Sequence, residues 1–338
     1  MNLPGGGTGR RPRPARIVRS AMRIEIEGDA SPLGWPAPGC PCASCAPLRR
    51  RGESRAPLRI LVDGLPLEEL EAAEVPGGLD IRTRSGGRLL YGHHETWPEP
   101  APGAVYDAVL LDLLGRPEHL AVLRRLGAVA SHTEIHAVHV DHRVRDAAEL
   151  RRRLEFWRAP VAGPHRTLLL GGSRSGKSAE AELRLIAHPD VTYLATGPRA
   201  DGSDPEWDER VRSHRVRRPS WWRVVESDEL SGLLRSARGA ILVDGLGTWL
   251  ASVMDRANAW EDPDAVRPLL SELVAAWRRT EAVVVAVSDE VGLSLVPENR
   301  AGRLFRDLLG ELNQRLAAES EDAALVVAGR PLPLWPCR

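Results

Sequence analysis

The stretch Gly171-Gly172-Ser173-Arg174-Ser175-Gly176-Lys177-Ser178 satisfies the pattern G-x-x-x-x-G-K-[ST] in full. That spacing suits phosphate. The glycines let successive backbone N–H groups curl around an anion without Cβ clashes, and the N-terminus of a following helix adds a favourable dipole. Lys177 is the only lysine among the 46 basic residues; every other one is arginine. An ammonium on a thin stem can lie along the loop and reach β and γ phosphates, whereas a planar guanidinium is broader and more demanding in geometry. Ser178 offers a hydroxyl to Mg²⁺. The matching acid is expected at the end of an apolar strand. Asp244, directly after Ile241-Leu242-Val243, fits as a Mg²⁺ or hydroxyl contact, its plainer role being a turn former beside Gly245.

Two further clusters carry possible chemistry. On a helix starting at Pro205, Glu206, Arg210 and His214 are spaced i, i+4, i+8 and share one face, with Arg215, Arg217 and Arg218 close behind. Arginines around a histidine disfavour its imidazolium form and leave a neutral nitrogen available as a nucleophile, and they can also hold a polyphosphate. Spacing alone, however, favours the plainer reading of a solvated basic helix with an incidental histidine. Cys40, Cys42 and Cys45 form C-x-C-x₂-C, which suits a structural tetrahedral Zn²⁺ with one more ligand. His165, His139 and His142 are the candidates for that ligand, and spacing does not choose among them.

These groups need elements to position them. After Ala162-Gly163-Pro164, apolar strands alternate with helical stretches. The strands are expected at Thr167–Leu170, Val191–Ala195, Trp222–Val225, Ala240–Asp244, Ala282–Val287 and Ala324–Ala328. The helices are expected at Gly176–Ile186, Pro205–Val216, Glu229–Ser236, Asp264–Arg279 and Arg300–Ala318. Continuous apolar strands between helices predict a mostly parallel sheet covered on both faces. Before that point the strand-like runs (Met22–Ile26, Ile60–Asp63, Ala108–Asp112, Ile135–Val140) are short and broken by Gly and Pro. Residues 1–21 are basic, rich in Gly and Pro, and read as a disordered tail or an over-extended start before Met22. The expected organisation is therefore 1–21, 22–163 and 164–338.

Composition narrows the class. Charged residues are 27% and apolar residues 43% of the chain, ordinary for a soluble globular protein, and the formal net charge is +0, so nothing global points to nucleic acid or an anionic membrane. No apolar run approaches the roughly 20 residues needed to span a bilayer. Four cysteines, three of them in one short stretch, make no disulfide framework, which fits a reducing, cytoplasmic compartment.

The segments GGSRSGKS, YLATG, ERVRSHRVRRPSWW with Glu226, ILVDGLGTWL, VSDEVGLSLVPENRAGRLFRDLLGELNQRLA and LVVAGRPLPL, in that order, resemble the bifunctional adenosylcobinamide kinase / adenosylcobinamide-phosphate guanylyltransferase family of cobalamin biosynthesis. The resemblance implies a RecA-like P-loop α/β fold, a homo-oligomer (a trimer), and two reactions. A nucleoside triphosphate, ATP or GTP, phosphorylates adenosylcobinamide; GTP then gives GMP to that phosphate through a guanylyl-histidine, with Mg²⁺ as cofactor. His214 occupies the position of that histidine and, with Lys177, is the expected catalytic pair. The implied nucleotide contacts are Gly171–Ser178, Thr196, Gly197, Pro198, Arg215, Val216, Arg217, Arg218, Glu226 and Asp244. Three departures stand out: Asp289 where the family usually has Asn, Gly245 where Cys is common, and Trp335-Pro336-Cys337-Arg338 where a lysine often closes the last strand. A kinase without guanylyl transfer, or a nucleotide-binding regulatory module, are the alternatives.

Residues 22–163 resemble a truncated α+β metallo-β-lactamase-like domain of the phosphodiesterase type, on the Cys-rich loop, SGGRLLYG and YDAVLLDLLGR. The motif H-x-H-x-D-H is missing: His93-His94 is followed by Glu95-Thr96-Trp97, and His139–His142 supplies only part of a late segment. The expectation is a degenerate structural or interaction domain without hydrolase activity.

Overall fold

The computed structural model describes residues 22–198 and 204–335. The tail at 1–21 and the terminal 336–338 noted above lie outside them.

The N-terminal unit contains strands β1 (Ile24–Glu27), β2 (Arg59–Val62), β3 (Leu65–Pro66), β4 (Ala72–Val75), β5 (Gly78–Arg82), β6 (Arg88–Gly92), β7 (Ala108–Leu111) and β8 (Glu134–Ala137), with helices α1 (Cys45–Arg51), α2 (Glu118–Arg125) and α3 (Ala147–Arg158). Strands β1–β3 form a small antiparallel sheet, and β4–β8 a second sheet in sequential order, parallel only from β6 to β8. The three helices and the strands β3, β4, β5 and β6 were not anticipated from sequence. Gly and Pro break the pattern of these strands, yet tight turns between antiparallel neighbours are where such residues belong.

The C-terminal unit follows the expected alternation: β9 (His165–Gly171), α4 (Lys177–Leu185), β10 (Val191–Ala195), α5 (Pro205–Arg217), β11 (Arg223–Glu226), α6 (Leu230–Ser236), β12 (Ala240–Asp244), α7 (Leu246–Arg256), α8 (Arg267–Arg279), β13 (Val283–Asp289), α9 (Arg300–Ala318), β14 (Asp322–Val327) and β15 (Arg330–Pro333). The sheet order is β11-β10-β12-β13-β9-β14-β15, parallel throughout except for the β14–β15 hairpin. This is the mixed α/β architecture with a largely parallel sheet that the alternation demands. Helix α7 and strand β15 were missed; only Gly245 separates α7 from β12, so the apolar residues of the helix read as a continuation of the strand.

Alternation along the strands sends successive residues to opposite faces. Leu168, Leu170, Ile241, Val243, Val284 and Ala286 pack with Leu250, Leu273, Trp277 and Leu312 from α7, α8 and α9. Leu169, Leu242, Val283, Val285 and Val287 face the other way, into a core that also holds Ala181 and Leu185 of α4 and Leu150, Leu154 and Trp157 of α3. One apolar core therefore runs through both units. Helix α5 contributes no residue to either core among those described.

Register sets the functional end of the sheet. Ala195, Asp244 and Val287 stand side by side on β10, β12 and β13, and Asp289 is opposite Gly171 of β9. The carboxyl ends of the parallel strands thus surround the glycine-rich loop, as expected where open α/β sheets take their ligands.

Candidate functional site

The loop between β9 and α4 requires its glycines. Gly176 has φ 96°, and a Cβ there would lie 2.9 Å from the Cα of Gly329. A Cβ on Gly171 would lie 2.7 Å from the Val326 carbonyl oxygen. The loop is pinned further by the Gly329 N–H, which donates to the Ser175 carbonyl at 2.7 Å. Lys177 folds back along it, donating to the Gly172 carbonyl at 3.1 Å and pairing with Oδ1 of Asp289 at 2.8 Å. The ammonium is buried and already faces a carboxylate before any phosphate arrives.

Asp244 is the hub. Ser178 Oγ donates to its Oδ1 at 3.3 Å. Its Oδ2 accepts from the Tyr193 hydroxyl and stands 2.8 Å from Nδ1 of His214. Burial alone would push this carboxyl up, but the hydrogen bonds from His214, Tyr193 and Ser178 hold it below the usual carboxylate range. Burial and the adjacent Asp244 charge push the Tyr193 phenol well above its ordinary value, so it remains a donor. A neutral imidazole that donates from Nδ1 to Asp244 would leave Nε2 as the nitrogen with a free lone pair. The sequence reading surrounded the imidazole with arginines and did not foresee an acidic partner. The group facing it is a carboxylate, because α5 crosses the strand ends at Asp244.

Two of the three arginines after His214 have definite partners. Arg217 binds Glu182 of α4 through two contacts of 2.9 and 3.2 Å, and burial raises the Glu182 carboxyl in spite of that pairing. Arg218 donates from Nε to the His214 carbonyl and lies 3.7 Å from the Tyr193 ring centroid. Its Nη1 is buried without a partner among the described residues. Val216 is 80% exposed and faces solvent.

A cleft opens over these groups. Lys177, Gly197, Pro198, His214, Arg215, Arg218, Glu226, Asp244 and Asp289 line it. A second hollow, lined by Ser173–Ser178 with His214 and Arg217, lies on the other flank of the imidazole. Thr196 stays behind the cleft wall, its hydroxyl donating to the Gly245 carbonyl at 2.5 Å and contacting Thr248 at 2.8 Å. Of the expected nucleotide contacts, Thr196 and Val216 therefore line neither hollow, Arg217 and Ser173–Ser178 line the second, and Lys177 lines both. Sequence reasoning missed Tyr193, Thr248, Glu182 and the Asp289–Lys177 pair. A tyrosine inside an apolar strand, in a chain with only 3, was the one available signal.

In the N-terminal unit, the ligand atoms of Cys40, Cys42, Cys45 and His142 all lie within 4.8 Å of one another. Of the three candidate histidines, His142 is the one brought to the cysteines, 3.6 Å from Cys45 Sγ. His139 points instead toward the Tyr91 hydroxyl and the Gly92 carbonyl, and His165 opens β9. The Cys45 N–H donates to Cys42 Sγ and holds that thiol below its usual range. Close by in sequence, Arg143 bridges two carboxylates, donating to Asp112 at 2.9 Å and Asp141 at 2.8 Å. The Asp112 side chain is fully buried.

Residues 167–334 match the family described as cobinamide kinase / cobinamide phosphate guanyltransferase. The "Bifunctional adenosylcobalamin biosynthesis protein CobU" of Salmonella typhimurium is 37% identical over 175 residues, which are 48% of this chain and 95% of that protein. Its Escherichia coli namesake is 36% identical over 175 residues, with the same coverage. The "Bifunctional adenosylcobalamin biosynthesis protein CobP" of Pseudomonas aeruginosa is 37% identical over 175 residues, 50% of this chain and 96% of that protein. About half of this chain thus accounts for nearly the whole of each relative, leaving no room in them for a second unit the size of residues 22–163. No helix among the described residues is long and apolar enough to cross a membrane.

Proposed function

The chain belongs to the cobinamide kinase / cobinamide phosphate guanyltransferase family, and on that premise we propose that residues 164–338 phosphorylate adenosylcobinamide and then guanylylate the product in the cytoplasm. The carrying observation is that one buried carboxylate, Asp244, is bonded at once to Ser178 of the phosphate loop and to Nδ1 of His214. It ties the triphosphate cradle to a nucleophile.

In the kinase step the substrate hydroxyl oxygen attacks the γ-phosphorus; the hydroxyl proton is lost and a nucleoside diphosphate leaves. In the second step Nε2 of His214 attacks the α-phosphorus of GTP. The bond to the β-bridging oxygen breaks and pyrophosphate leaves, stabilised by the loop N–H groups and Lys177. The phosphate of adenosylcobinamide phosphate then attacks the phosphorus of guanylyl-His214, giving adenosylcobinamide-GDP and restoring the imidazole. Throughout, Asp244 fixes the imidazole tautomer, and the unpaired Arg218 Nη1 offers a donor to the polyphosphate. Ser178 Oγ and Asp244 Oδ1 form a hard oxygen pair beside the loop and are the residues that would hold Mg²⁺. When bound with nucleotide, that ion neutralises phosphate charge.

Incubation with α-labelled GTP tests the covalent step. The expected result is acid-labile, protein-bound GMP that is lost in His214→Ala. Absence of label, or label that survives this substitution, would refute it.

For the N-terminal unit, we propose a structural Zn²⁺ on Cys40, Cys42, Cys45 and His142, since three sulfurs and an imidazole nitrogen within 4.8 Å suit a tetrahedral ion. Elemental analysis of the purified chain should find one equivalent, lost in Cys42→Ser. The unit is proposed as a degenerate metallo-β-lactamase-like domain without hydrolase activity. In support, Arg143 occupies the space between Asp112 and Asp141 and satisfies both carboxylates. Trimeric assembly is proposed from the family resemblance. The exposed apolar residues Leu293, Leu295 and Val296 are available surface for it, and sedimentation analysis tests the state.

A further inference from the structure

Helix α4 does two things at once. Its first turn carries Lys177 and Ser178 into the phosphate cradle. One residue beyond Ala179, Glu180 is directed into the protein and is only 6% exposed. Its carboxylate receives Arg152 through contacts of 2.6 and 3.2 Å and Arg184 at 2.9 Å. Arg184 belongs to the same helix and reaches onward to Asp322 of β14 at 3.1 Å. Arg152 belongs to α3, in the N-terminal unit, and Glu149 holds it through two contacts of 3.0 Å.

The grip continues along the helix. Trp157 of α3 donates from Nε1 to the Leu183 carbonyl at 3.0 Å. Arg124 of α2 donates to the Ala187 carbonyl just past the end of α4, and also to the Trp157 carbonyl. Helix α3 is itself anchored. Asp146 accepts the Glu149 N–H at its start, and Ser44 Oγ, in the Cys-rich stretch, donates to the Val144 carbonyl at 3.0 Å. Side chains and hydrogen bonds thus connect the N-terminal unit to the helix that points at the nucleotide phosphates.

The related bacterial proteins consist almost wholly of the C-terminal unit. Their α4 equivalents work without a second unit of this size, whereas this α4 carries a buried carboxylate paired with a residue from outside the catalytic unit. A buried carboxylate that loses one of two cationic partners is costly, and the helix bearing it shifts or frays in response. The loop N–H groups move with it. Displacements near 1 Å are enough to spoil a phosphate cradle.

We infer that the N-terminal unit is a brace for the phosphate-binding helix, and that Arg152 is a positioning residue for nucleotide binding through Glu180. This rests on the nucleotide-dependent reading of the same cleft.

The test uses the full chain and calorimetric titration with GTP. Arg152→Met is expected to weaken GTP binding about five-fold, with the KM for adenosylcobinamide unchanged. Arg152→Lys keeps the charge but loses the fork, and should fall between the two. Arg125→Ala is the control. It breaks a contact between the units at Pro189 and Asp190, beyond α4, and should leave GTP binding within about two-fold of the parent. GTP binding unchanged in Arg152→Met, or weakened as much in Arg125→Ala, overturns the inference. If the Met variant does not fold, unchanged GTP binding in Arg152→Lys overturns it equally. An unsubstituted chain that binds no GTP refutes both this inference and the proposed function. One that binds GTP but forms no guanylyl-histidine refutes the guanylyl-transfer reading alone.

Discussion

Replacing Asp289 by asparagine should tighten nucleotide binding. In the free protein the Lys177 ammonium is 2.8 Å from the Asp289 carboxylate, and a triphosphate must take that ammonium over or share it. Unit charges in contact are worth ~1 kcal/mol in water and ~4 kcal/mol at an effective dielectric of 20. The Lys177 side chain is 6% exposed but that of Asp289 is 36% exposed, so water reaches the anionic half of the pair. The lower end of the range then applies, ~1 kcal/mol. Asn keeps a hydrogen-bonding oxygen and removes the competing charge, so Asp289→Asn should bind GTP about five-fold more tightly. Titration calorimetry at neutral pH reads this directly. Repeating it at rising salt should narrow the gap between variant and parent, because the competing term is electrostatic. Equal or weaker GTP binding by the variant, or a gap that widens with salt, would show that the pair does not oppose the nucleotide.

Two other outcomes follow from the same geometry. Burial lowers His119 and His188 to about 4 from an ordinary value of 6.5. The unfolded chain therefore binds protons that the folded chain refuses; stability is full above pH 6.5 and falls as pH drops toward 4, by about 2 kcal/mol for each histidine at pH 5. Urea unfolding at pH 7 and pH 5 should show that loss, and His188→Gln should remove close to half of it; a pH-independent midpoint would contradict the assignment. Gly176→Ala forces a side chain onto φ 96° and a Cβ within 2.9 Å of the Gly329 backbone, so a loss of about 1–3 kcal/mol and of detectable GTP binding is expected from denaturation and calorimetry.

The residues legible from sequence were those whose signal is local. The glycine-rich loop, the strand-end Asp244 and the strand–helix alternation each declare themselves within a few positions. The hub around Asp244 does not, because Tyr193, Asp244 and His214 meet only once β10 and β12 pair in register and α5 crosses above them. The Asp289–Lys177 contact likewise depends on Asp289 standing opposite Gly171. His142 was indistinguishable from His139 and His165 by spacing, and the chain turn after β8 decides among them. The strands β4–β6 escaped because their glycines and prolines carry the turns. The Arg152–Glu180 contact joins residues of two units and leaves no local trace at all.

The apolar layer common to both halves has one last implication. A gene fragment encoding only the part after Gly163 would leave Ala181, Leu185 and Ile186 without the tryptophan and leucines of α3 that cover them here. Such a product should clump rather than stay dispersed, while the intact polypeptide should melt in one calorimetric peak. The two halves are fused in sequence and also interlocked like dovetailed timber, so neither is expected to come away whole.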